Sequence, residues 1–166
     1  MALTAISVSS ADFIQKGGVE KVTMHNAGEI SSALALADHK MSFGGDAAAK
    51  DLVFDPETAK LTVSSTRERG FSVITATVEG YVSGLTNAKI AALQANKDLP
   101  LVCLVHLNSD ENFIIGWDDI YGEAADSLMP AYIDSIEIDS GAKRGDTNGA
   151  TIKIVAIMGE MPREVG

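Results

Sequence analysis

The sequence predicts a mainly β, α+β chain: a small β-barrel or β-sandwich with one short helix packed on it, a single domain over residues 1–166. Three observations carry this. Residues 99–117, LPLVCLVHLNSDENFIIGW, place strand-length apolar runs on both sides of a turn. Residues 71–82, FSVITATVEGYV, hold twelve positions of strong β propensity in which Phe71, Val73, Thr75 and Thr77 oppose Ser72, Ile74, Ala76 and Val78. Between them, residues 86–96, TNAKIAALQAN, combine a threonine N-cap with Ile90 and Leu93 three apart, and Asp98 and Pro100 then stop the helix.

Taken in order, residues 3–10 (LTAISVSS) have the β-branched content of a first strand. Gly17 and Gly18 then break the chain before an apolar run at 19–24, so an N-terminal hairpin is expected. Asn26 followed by Glu29 has capping-box spacing, and Ile30, Ala33, Leu34 and Ala37 share a helical face, which predicts a helix. The alternation of Leu34 and Leu36 with alanines reads equally as a strand. Residues 41–50, with two glycines and three alanines, read as a loop or as a short helix begun by Asp46. Asp55-Pro56-Glu57-Thr58 is a turn signal, after which Leu61, Val63 and Ser65 alternate with Thr62 and Ser64 as a strand.

The run at 101–107, the turn at 108–112 and the apolar Phe113, Ile114 and Ile115 make a buried hairpin, the floor of one core. Residues 118–130 form a wide acidic connection broken by Gly122 and Pro130. Residues 132–139 and 150–158 read as paired strands in which Ile136 and Ile138 face Ile152, Ile154 and Ala156. The intervening SGAKRGDTNG is an extended hairpin loop with Lys143 and Arg144 at its tip.

Composition bounds the function. With 46% hydrophobic and 22% charged residues, 166 residues suffice for one real core. No apolar run approaches the roughly 20 residues that span a bilayer, and no signal peptide precedes the first strand, so no membrane partner is expected. The lone Cys103 excludes an intramolecular disulfide; inside an apolar strand it is expected to act as a small hydrophobe, and a cytoplasmic folding compartment fits.

The net charge of −10 is localised. From Asp98 to Ala142 the chain carries Asp98, Asp110, Glu111, Asp118, Asp119, Glu123, Asp126, Asp134, Glu137 and Asp139 and no lysine or arginine. Nucleic-acid affinity comes largely from lysine and arginine displacing counterions, so this stretch argues against a DNA-binding module. It is either a solvated face that maintains solubility or a surface that DNA passes without sticking.

Catalytic signatures are missing from the sequence. His25, His39 and His106 are far apart, and no HExxH, CxxC, GxSxG, Walker A or GxGxxG pattern occurs. Asp110-Glu111 and Asp118-Asp119 offer oxygen ligands to a hard cation but lack the spacing and internal glycine of an EF-hand loop. Trp117 reads either as a partly buried anchor or as an interface hot spot.

The order of elements resembles the small β-fold with a packed helix of tail-tube proteins from tailed bacteriophages and related contractile injection systems. The residues that carry the resemblance are FSVITATVEGYV at 71–82, TNAKIAALQAN at 86–96, LPLVCLVHL into FIIGW, and YIDSIEIDSGAKRGDTNGATIKIVAIM at 132–158. They cover about two thirds of the chain, and the family has no diagnostic short motif. The resemblance implies a non-enzymatic virion structural protein, assembled in the host cytoplasm, that takes no cofactor or metal. Its partners would be copies of itself in stacked rings, expected to be hexameric, together with other tail or neck proteins, and DNA would be a repelled passenger. On this reading Asp110, Glu111, Asp118 and Asp119 face the lumen, while Lys143, Arg144 and Trp117 contact the neighbouring subunit. A head-to-tail connector, another virion protein or a ligand-binding β-sandwich are the alternatives.

Overall fold

A computed structural model describes residues 17–27, 34–37, 40–43, 49–117 and 129–164, with backbone alone for 34–37 and 40–43. The chain order is β1 (Val19–Asn26), β2 (Leu34–Ala37), β3 (Lys40–Phe43), β4 (Lys50–Val53), β5 (Lys60–Glu68), β6 (Phe71–Ser83), α1 (Asn87–Asn96), β7 (Leu101–Leu107), β8 (Asn112–Ile115), β9 (Tyr132–Asp139), β10 (Gly149–Met158) and β11 (Arg163–Glu164). Two antiparallel sheets pack together as an open sandwich, and the sheets do not close into a barrel. One has the order β11-β8-β7-β1-β4 and the other β5-β6-β10-β9; β2 and β3 form a separate pair.

The long alternating strand, the helix and the central hairpin fall where the sequence puts them. In β6, Ile74, Ala76 and Val78 are buried, and they meet Ile152, Ile154, Ala156 and Met158 of β10 across the ladder. Opposite them, Val22, Cys103, Val105 and Ile115 from β1, β7 and β8 complete one core. Strand β9 reaches this core with Ile133 and Ile136, three apart, which a period of two forbids. A bulge resolves the conflict. Ile133 pairs with Ile154 and Ser135 with Lys153, so Asp134 is the extra residue and the strand turns over around it. A similar shift at Glu20 lets Val19 and Val22 both face inward.

Two expectations are corrected. Asn26 ends β1 rather than capping a helix, and Leu34–Ala37 is the strand β2, paired with Lys40–Phe43. Alternating leucine and alanine satisfy a two-stranded ladder as well as a helix, and here a ladder partner is present. The loop or helix expected at 41–50 begins and ends in strands instead, because Lys50–Val53 pairs with β1 from Lys21 to Met24. The strand expected at 3–10 and most of the acidic connection, including Asp118 and Asp119, lie outside the described residues.

Candidate subunit interface

Among the described residues the four-stranded sheet has two unpaired edges, β5 and β9, and each is built differently. Helix α1 lies along the β9 side. Thr86 caps it by accepting a hydrogen bond from Lys89 N at 3.2 Å, and the Lys89 ammonium donates to Ser83 O at 2.6 Å, which ties the first turn to the end of β6. No α1 residue is fully buried. Its Leu93 leans on the core, whereas Ile90 remains 41% exposed. Facing it, Ile138 near the end of β9 is 49% exposed. Between helix and strand runs a trough of about 430 Å³ of mixed character, floored by Ile133 and Ile136 and rimmed by Gln94, Lys97, Asp98, Asp134 and Ser135.

The β5 edge supplies what the trough lacks. Leu61 and Val63 face the core side and are only partly buried, while Thr62, Ser64 and Thr66 alternate outward. Main-chain hydrogen bonding along a free edge, with alternate side chains entering pockets, is the physics of strand addition.

Comparisons with protein-family models, curated proteins and solved structures return no match.

The residues singled out from the sequence scatter around this interface. Asp110 sits in the β7–β8 turn with φ 67°, exposed, and Glu111 follows it, half-buried, with its carbonyl accepting from Leu107 N at 2.9 Å. Both belong to the five-stranded sheet. Lys143 and Arg144 are exposed at the tip of the β9–β10 loop. That tip is ordered by Asp146, whose carboxylate accepts from the backbone of Ala142 and Lys143 at 3.0 and 2.8 Å, the local turn bonding that aspartate offers. Trp117 is only 5% exposed and its Nε1 has no hydrogen-bond partner among the described residues, so its ring is taken up inside the subunit.

Titratable groups cluster on the far face of the five-stranded sheet. Thr23 Oγ1 donates to Asp51 at 2.7 Å and lies 3.0 Å from His106 Nε2, and Lys21 pairs with Asp51 at 2.9 Å. With the hydroxyl proton committed to Asp51, the oxygen accepts from His106, which places the ring proton on Nε2. The Thr23 bond and then Lys21 hold the Asp51 carboxyl below its usual range. Burial, followed by the Lys21 charge, lowers the His106 imidazole. Burial alone pushes the Cys103 thiol up to about 12. Among the described residues no group of three or more His, Cys, Asp or Glu is placed to hold a metal ion, and no helix is long and apolar enough to cross a membrane.

The β9 trough escaped sequence reasoning because Ile136 and Ile138 alternate correctly and read as core. Only the structure shows that Ile138, on the edge strand beside the buried Ala150, stays 49% exposed.

Proposed function

We propose that this chain is a virion structural protein, a tail-tube subunit whose copies join head to tail in rings that stack around a channel for DNA. The observation that carries the reading is the pair of complementary free edges on the four-stranded sheet. Four antiparallel strands leave β5 and β9 running in opposite directions. A rotated copy therefore sets its β5 antiparallel to β9, and the ladder continues without interruption. Its Leu61 and Val63 enter the trough beside Ile90 and Ile138. Such a heterologous contact closes into a ring when the rotation allows, and closure pairs both edges of the four-stranded sheet. Charge supports the same pairing at one end: β9 carries Asp134, Glu137 and Asp139, and β5 begins with Lys60, although it ends with Arg67 followed by Glu68.

The face of this sheet turned away from the core would then line the channel. Its ladder positions carry Glu68, Glu79, Glu137 and Asp139 against Lys60 and Lys153, among threonines and serines and the exposed Phe71, Tyr132 and Ile157. A net acidic wall keeps a polyanion from binding, with screening limiting the effect to about 8 Å at physiological salt. On this reading these residues line the channel in place of Asp110 and Glu111; Asp118 and Asp119, also expected there, lie outside the described residues. Negative-stain electron microscopy of the purified chain tests the function. Rings or tubes with an axial channel are expected; discrete single particles without a ring would refute it.

A further inference from the structure

On the other side of α1 lies a second, larger opening, an apolar groove of about 750 Å³ between the helix and the edge strand β4. Its floor reaches the core at Met24, Phe54 and Ile152, and Val53 stands exposed on its lip. Leu93 and Ile133 line both this groove and the β9 trough. The edges β4 and β9 thus share one side of the sandwich, with α1 as a bar across the opening between the sheets. Among the described residues nothing covers this groove or pairs with the outer edge of β4, and bared core side chains are costly to leave in water.

Two edges lie opposite these, β5 in one sheet and β11 in the other. Just before β11, the turn at 159–162 holds Met161 outward, 55% exposed, beside the Glu160–Arg163 ion pair. In a head-to-tail ring the side bearing β4 and β9 meets the side bearing β5 and β11. We propose that a second copy of this chain fills the groove, inserting Met161 between β4 and α1. This rests on the ring reading and adds to it a separate contact, made by the five-stranded sheet. An unbranched thioether adapts to an irregular apolar slot, and α1 becomes an element gripped from both flanks by the neighbour.

The full chain carrying Ala92→Cys on α1 and Met161→Cys tests the contact, with a short bis-maleimide as the probe. Both positions are exposed, so the fold tolerates them, and the native Cys103 is fully buried and does not compete. Assembled double-cysteine protein is expected to give a ladder of dimers and larger species on a denaturing gel, and either single variant none. Rings seen by microscopy without a ladder would overturn the groove contact and leave the ring reading intact, whereas absence of rings overturns both. Anilinonaphthalene sulfonate supplies a second measurement on the unaltered chain: its fluorescence with dispersed subunits should be lost on assembly. Dye fluorescence that persists in intact rings, or a small molecule found in the groove by native mass spectrometry, would also overturn the proposal.

Discussion

The two sheets of the sandwich are made by opposite rules. In the five-stranded sheet both faces are covered at one end: Val105 and Cys103 point to the core, yet Val102, Ile114 and His25, on the other face, are buried as well, while Lys21, Thr23, Asp51 and His106 form the wetter end of that face. In the four-stranded sheet only one face is covered, and the other alternates Thr75, Thr77 and Glu79 in β6 with Thr151, Lys153 and Val155 in β10. The sequence follows suit. A strand buried on both faces reads as LVCLV, and a strand with one wet face reads as period-two alternation. On the proposed reading the difference says where assembly belongs: the first sheet acts mainly as scaffold, and the second offers a face and two edges that no described residue covers.

The sharpest way to break this comparison is to make the same change at the outward position of each sheet. Ile114 and Ile157 both point away from the central core, but Ile114 is 1% exposed and Ile157 55%. Ile114→Ala should cost roughly 2–5 kcal/mol, and Ile157→Ala no more than about 0.5 kcal/mol, measured by denaturant unfolding. Equal costs would mean that the two sheets are not built differently.

Glycines sharpen it next. Gly116, after β8, has φ +87°, and an added Cβ would fall 2.6 Å from Leu101 O, a backbone atom held in the scaffold. Gly70, in the β5–β6 turn, has φ +91° with open space around it. Alanine at Gly70 carries the left-handed strain alone, about 1–2 kcal/mol, and alanine at Gly116 should cost clearly more because the clash adds to it. Thermal denaturation of both variants checks the order.

A third prediction concerns the wet face. Lysine at Glu79, on the inner strand β6 and away from both edges, should make assembled tubes retain DNA in a salt-dependent way, because the new lysine releases counterions from phosphate. Asp110→Lys, on the scaffold sheet, should not. A gel-shift assay on assembled material distinguishes them, and retention by the Asp110 variant alone would return the lumen to the β7–β8 turn.

The smallest expected effect is on pH. His106 faces Thr23, Lys21, Asp51 and Asn112, with Glu20 nearby. Its folded value lies below the ordinary 6.5, so the unfolded chain binds the proton more readily. The stability this contributes is present above 6.5 and is lost as pH falls through the lowered folded value. Melting temperature should drop slightly between pH 7 and 5, and His106→Gln should flatten that part of the profile.

The sequence made the scaffold hairpin, β6 and α1 legible because each satisfies one strong local rule: a continuous apolar run, a clean alternation, a cap with a stop. Leu34–Ala37 obeyed two rules at once, and only the presence of Lys40–Phe43 as a ladder partner decides between them. The interface was hidden for a different reason. Ile90, Ile138 and Met161 are ordinary apolar residues in a sequence, and their meaning comes from the bulge at Asp134, their exposure in the fold and the position of the sheet edges. Acidic patterning located the charge correctly along the chain but could not say which carboxylates share a face, since that depends on strand register.

The central claim is that copies join through the β9 trough, and light scattering after size exclusion tests it directly on the parent chain and on Ile90→Asp/Ile138→Asp. Both substituted residues are exposed in the subunit, so the far-UV circular dichroism of the variant should match the parent. The parent should elute as a multimer and the variant as a monomer. A parent that is strictly monomeric at high micromolar concentration in both low and moderate salt, or a variant that assembles as well as the parent, would contradict the account.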